Sequence, residues 1–357
     1  MTAGDRLGAC SIPCILATSR IRLSMSNFQD RRVDDILEQA VCWDNHVCLP
    51  LEANDDTLPQ LERFRAAGFT AVTVNIGYSE APGGDHGLIA RHFTRWIHEN
   101  GDRFMLLRHA TDLSVAKRTG RLAVAFDIEG VAALEGDLAR IQDFYDLGVR
   151  WMLLAYNTRS QAGCGCHVDD DGLTDFGRAV IREMERVGMV VCCSHAGART
   201  ARDILDYACR PVLFSHSNPR ALCDHPRNID DTLIDACAKT GGIVGINGVS
   251  LFLGTQDVSA TAIVRAIDHV AGRVGVEHVA LGLDYPFMTD TSDLQDIIAA
   301  NPEAFPPALG YGGTMTFAPP EILPRIVDSL CDLSYSDADI LKILGGNLAR
   351  LAASLWR

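Results

Sequence analysis

Eight short apolar runs recur along the 357 residues, most of them separated by a segment with helical patterning. They are Val41–Cys48, Ala71–Ile76, Leu122–Ile128, Val149–Tyr156, Met189–Ser194, Pro211–Ser215, Gly242–Asn247 and His278–Asp284. Each run is continuously apolar rather than alternating, the pattern of a parallel strand buried on both faces. Helical patterns lie at Asp56–Ala67, Gly87–Glu99, Leu138–Leu147, Leu173–Val187, Ala198–Tyr207, Asp231–Thr240 and Ala260–Val274. Eight buried strands alternating with helices predict an α/β fold, a single-domain (β/α)8 barrel of TIM type over residues 29–357. A doubly wound sheet is the alternative, but no Gly-x-Gly-x-x-Gly follows a run and no P-loop is present. Residues 1–28 read as an irregular, loosely ordered N-terminal extension, with Met25 as an alternative start.

The charge excludes some partners. Acidic residues outnumber basic ones, giving −14 at neutral pH. A sequence-independent nucleic-acid binder needs a basic face, and a polybasic membrane anchor needs the same, so neither partner is expected. No apolar run reaches the roughly 18 residues of a membrane span. The short stretch Ile12–Ala17 makes a poor secretory signal. Twelve cysteines in so long a chain form no disulfide framework, which points to free thiols and a cytoplasmic setting.

Barrel active sites gather at the C-terminal ends of strands. Those ends carry His46 and Cys48, Glu129, His195, His216 and Asp284. His46 and Cys48 are two apart on one strand and face the same side. Three histidines, two carboxylates and a cysteine around one mouth form a zinc-type ligand inventory. Serine chemistry is weakly supported, because Ser194 and Ser215 sit in no Gly-x-Ser-x-Gly elbow. The Cys164/Cys166/His167 cluster lies in a loop, Ser160–Asp171, that reads as a lid over the site.

These stretches resemble the renal (membrane) dipeptidase family, zinc enzymes related to the amidohydrolase barrels. The matching segments are DNHVCLP (Asp44–Pro50), FDIEG (Phe126–Gly130), GVRWMLLAYN (Gly148–Asn157), Gly172–Val191, Ser194–His195, FSHSN (Phe214–Asn218), HPRNIDD (His225–Asp231), LGLDY (Leu281–Tyr285) and GGNLAR (Gly345–Arg350). The resemblance implies a metallo-dipeptidase in which a metal-bound hydroxide attacks the amide carbonyl of a dipeptide. His46 would bind a first zinc, Glu129 would bridge two zincs, and His195 and His216 would bind the second. Arg227 would grip the substrate carboxylate as a charge-assisted fork, and Asp284 would carry the proton. A homodimer is compatible with the resemblance.

Three positions depart from the family. Cys48 stands where the family has an aspartate ligand. A thiolate also binds zinc, so the resemblance implies two zincs per chain, or one if Cys48 does not ligate. Tyr156 replaces a histidine that contacts substrate, and a phenol can still donate to an oxyanion. Cys192 replaces an aspartate, which removes support expected for His195. Two further functions remain open: hydrolysis of another small amide, lactam or ester, or a catalytically inactive barrel used for binding.

Overall fold

The computed structural model describes residues 30–48, 51–78, 85–256, 258–287 and 291–357, with the backbone alone for 291–293. The proposed extension, residues 1–28, and part of the loop after the second run lie outside the described residues.

Among the described residues, ten strands follow in chain order: β1 (Trp43–Cys48), β2 (Ala71–Tyr78), β3 (Phe104–Leu106), β4 (Leu122–Glu129), β5 (Val149–Leu153), β6 (Val190–Cys192), β7 (Leu213–Phe214), β8 (Ile243–Ile246), β9 (Val279–Leu281) and β10 (Tyr285–Pro286). Eight of them run in the order β1-β2-β4-β5-β6-β7-β8-β9. Asp44 of β1 pairs with Leu281 of β9, and this parallel contact closes the ring. The result is the expected TIM-type barrel. The two short extras, β3 and β10, add to β4 and β1. The expected fourth run ends early, because β5 stops at Leu153 and Tyr156 lies beyond it.

Continuous burial has a simple cause. Every residue of β4 is buried. Ala123 and Ala125 belong to the cluster inside the barrel with Trp43, Trp151 and Leu213. Val124, Phe126 and Ile128 face the other way, into the layer shared with the helices. Both sets are apolar, so period-two alternation disappears from the sequence. Helix Asp175–Val187 supplies part of the outer layer. The Thr174 side chain caps it by accepting from Gly177 N, Gly188 ends it at φ 93°, and Val180, Ile181, Met184 and Val187 form its buried stripe.

The N-terminal end of the barrel is plugged by aromatic rings. Trp43 and Trp151 lie 6.0 Å apart, and Trp356 meets Trp43 edge-on at 5.7 Å. Alanines at 71, 123, 125 and 280 leave room for the indoles. Trp151→Ala should therefore open a cavity that the closed ring cannot collapse. The expected loss is about 3–5 kcal/mol, read by denaturant unfolding.

Two bulges aim the opposite end. One extra residue is inserted in β1 between Asp44 and Val47, opposite Val72 and Val74. Consecutive residues can then both point inward: Asn45 Nδ2 reaches across to Ser215 O at 3.0 Å, while the His46 ring stacks on His216 at 3.8 Å. A second bulge falls in β2 between Asn75 and Tyr78, opposite Asp127 and Glu129.

Candidate metal centre

The C-terminal mouth gathers His46, Cys48, Glu129, His195, His216 and Asp284. Glu129 is the hub. Its Oε1 lies 3.2 Å from His195 Nε2, 3.2 Å from His216 Nε2 and 3.7 Å from His46 Nε2. On the other side of His46, Cys48 Sγ is 3.4 Å from His46 Nε2 and donates to Asp284 Oδ1 at 3.2 Å. Asp284 Oδ1 is itself 3.6 Å from His46 Nε2. Two overlapping donor triads result, His46–Glu129–His216 and His46–Cys48–Asp284.

Each imidazole is oriented by its other nitrogen. His46 Nδ1 donates to Asp127 Oδ2 at 2.8 Å, and Asn75 Nδ2 donates to Asp127 Oδ1 at 2.8 Å. His195 Nδ1 donates to Asn157 Oδ1 at 2.7 Å. The Asn157 amide cannot be reversed, because its Nδ2 donates to Ala304 O at 2.8 Å. His216 Nδ1 meets Ser215 Oγ at 2.7 Å. The Nε2 lone pairs are thereby turned inward, the tautomer that metal ligation requires.

Backbone strain is concentrated here. His195 and Asp284 have φ of 66° and 59°, left-handed values that cost about 1–3 kcal/mol for residues other than glycine. They place both side chains over the mouth at the ends of their strands. Asn247 Nδ2 holds Asp284 Oδ2 at 2.9 Å.

The electrostatics ask for a cation. Burial pushes the Glu129 carboxyl up to about 8, against the pull of His46. Burial also lowers His195 and His216 well below the ordinary histidine range, with Arg227 and His46 adding to the effect. For His46, burial acts downward, but Asp127, Cys48 and Glu129 outweigh it and the net shift is upward. His195 Nε2 and His216 Nε2 are 3.0 Å apart. Two facing lone pairs beside a buried carboxylate fit a divalent ion, so the donor set suits the metal implied by the sequence.

The structure also places Cys192, Arg227, Tyr156 and the Cys164/Cys166/His167 cluster. Cys192 gives its thiol to Ser215 Oγ at 3.1 Å, so the chain of contacts leads to His216 and not to His195. His195 takes its support from Asn157. Arg227 is buried, and two of its five donors are used: Nη1 to Ser217 Oγ at 3.2 Å and Nη2 to His216 O at 2.8 Å. Its Nε is buried without a partner, which leaves a donor for an anion. The Tyr156 ring stacks on His195 at 4.1 Å, with Tyr78 at 5.3 Å. The Cys164/Cys166/His167 cluster forms no donor set among the described residues. Cys164 accepts from Asp171 N, Cys166 points to Asn157, and His167 bonds Ala304 O.

Sequence reasoning did not single out Asp127, Asn157 or Asn247, and it weighed Ser215 for serine chemistry and not as the partner of His216. One signal was available. Asp127 lies two residues before Glu129 on one strand and must share its face.

A closed parallel barrel with imidazoles and carboxylates at its C-terminal mouth is the layout of a barrel metallohydrolase. Comparison narrows the class. The chain belongs to the membrane dipeptidase family, peptidase family M19, whose model matches residues 31–301. An uncharacterised dipeptidase of Schizosaccharomyces pombe is 33% identical over 181 residues, 48% of this chain and 44% of that protein. A crystal structure of an amidohydrolase from Pseudomonas aeruginosa has a TM-score of 0.83 at 23% identity, covering 91% of this chain and 99% of that one. A metallopeptidase from Rhodobacter sphaeroides, bound to a phosphinate mimic of the dipeptide L-Ala-D-Ala, gives 0.71 at 20% identity, with 89% and 99% covered. At these identities both structures speak to the fold. The chain is thus a hydrolase of a metallo-dipeptidase family with a buried His/Glu donor set. Among the described residues no helix is long and apolar enough to cross a membrane, and every cysteine is a free thiol.

Proposed function

We propose that the protein is a zinc dipeptidase with two adjacent metal positions. The observation that carries this reading is the convergence of three oriented Nε2 atoms on Glu129, with Cys48 and Asp284 beyond His46. His46, Cys48 and Glu129 would hold one zinc, and Glu129, His195 and His216 the other. The chemistry zinc supplies when bound is carbonyl polarisation and a water pKa lowered to about 7.

The remaining work falls to the chain itself. Asp284 Oδ1 takes the proton of the attacking water and delivers it to the leaving amine, while Asn247 fixes the carboxylate through Oδ2. Arg227 attracts the free carboxylate of the substrate through the donors that Ser217 and His216 leave unused. Tyr156 covers one face of His195 and offers its hydroxyl to the carbonyl oxygen as charge develops there. Asp127, Asn157 and Ser215 hold the imidazoles in register.

The ligand of the Rhodobacter protein supports a first panel that includes L-Ala-D-Ala. Protein purified without chelator should carry about two zincs per chain. It should cleave free dipeptides and lose at least about tenfold in rate when the C-terminal carboxylate is amidated, because the Arg227 pairing is then lost. Absence of metal after zinc is supplied, or an inert zinc-loaded protein across the panel, would overturn the reading.

A further inference from the structure

The two halves of the donor set carry very different charge. Around His46 stand Cys48, Asp284 and the shared Glu129, with Asp127 directly behind the ring at 2.8 Å. Asp44 is wholly buried on the same strand, and its Oδ2 has no partner. Around His195 and His216, Glu129 is the sole anion of the donor set. The outer partners there are an amide oxygen and a hydroxyl, Asn157 Oδ1 and Ser215 Oγ. A positive charge also stands on this side, since Arg227 Nη2 is tied to His216 O at 2.8 Å.

We propose that the two metal positions are unequal: the one built on His46 and Cys48 fills first and holds its ion through a cysteine thiolate, and the one built on His195 and His216 fills second and exchanges. The inference rests on the metal-site reading above and adds to it an order of filling and the thiolate form of Cys48. Coulomb attraction favours the anionic half. Each extra unit of negative charge beside the ion adds to that attraction, less what desolvation and mutual repulsion of the anions take back. Relief of that repulsion is itself gained when a cation arrives. The Cys48 thiol now donates to Asp284 Oδ1. As the sulfur–metal bond forms, the S–H bond breaks and its proton leaves to solvent, so charge is conserved. Thiolate then biases this position toward thiophilic ions such as zinc and cobalt over magnesium.

Cobalt distinguishes the two positions without an activity assay, because thiolate ligation produces a near-ultraviolet charge-transfer band. Metal-free, full-length protein is titrated with Co2+ under exclusion of oxygen. The band should be complete at the first equivalent, and the second equivalent should add visible ligand-field absorption alone, binding at least about tenfold more weakly. His195→Ala should keep the band and lose the weaker equivalent. Cys48→Ser should lose the band and the tight phase. A band that develops with the second equivalent, or evenly across both, overturns the order. Two equivalents bound with no band overturn the thiolate and leave the dipeptidase reading standing. Failure of the wild-type protein to bind cobalt would overturn both.

Discussion

Replacing Glu129 with glutamine is expected to abolish metal loading and lower dipeptide hydrolysis by at least about a thousandfold, since metal ions supply several kcal/mol of transition-state stabilisation. The substitution changes almost nothing in volume. It removes the one anion that approaches all three imidazoles, at 3.2, 3.2 and 3.7 Å. An amide also turns an N–H toward Nε2 atoms or leaves a weaker acceptor there. The sign on stability separates this loss from misfolding. Burial disfavours the ionised Glu129 carboxylate in the metal-free protein, pushing its pKa up to about 8. Glutamine carries no such charge, so the metal-free variant should melt at or above the temperature of metal-free wild type. Zinc should raise the wild-type melting temperature, because a ligand at a thousand times its Kd adds about 4 kcal/mol. The variant should show no zinc-dependent rise. A variant that melts lower without metal, yet still responds to zinc, would show that Glu129 serves packing and not ligation.

The barrel was legible because parallel strands buried on both faces leave uninterrupted apolar runs, and Phe126, Asp127 and Ile128 illustrate both the strength and the limit of that signal. The run betrays a strand even though Asp127 interrupts it. Its place two residues before Glu129 puts both on the inward face, but nothing local names His46 as its partner. Short elements were invisible for a related reason. The strand Phe104–Leu106 has three residues, too few for a period to be counted. The ligands themselves stood out because strand ends in a barrel share one mouth. Their partners did not. Asn157 reaches His195 across a sequence separation of 38, and Asn247 reaches Asp284 across 37. No local pattern encodes such pairs. The inward turn of His46 also depends on the β1 bulge, whose extra residue is defined by its neighbour β2 and not by β1 alone. The same distance effect hid the partner of Cys192, which touches Ser215 just beyond the end of the neighbouring strand β7 and so bears on His216.

Asp284→Asn isolates the proton-transfer step from the scaffold. Asparagine tolerates the left-handed backbone nearly as well as aspartate, so the φ of 59° is retained at little cost. It also keeps the contact with Asn247, whose Nδ2 would donate to the new amide oxygen as it now does to Asp284 Oδ2. The other arm changes character. Where Asp284 Oδ1 now accepts from Cys48, the variant presents an N–H that cannot take a proton. Dipeptide kcat is therefore expected to fall by about 10^2–10^4, the usual worth of a positioned acid–base group, with KM changed much less. The melting temperature should stay close to wild type, because the group is half-buried and its backbone geometry is preserved. A purely structural role predicts the reverse, a lowered melting temperature with kcat largely intact. If kcat stays within tenfold of wild type, the proton acceptor lies elsewhere, and Glu129 is then the remaining carboxylate of the donor set positioned to serve.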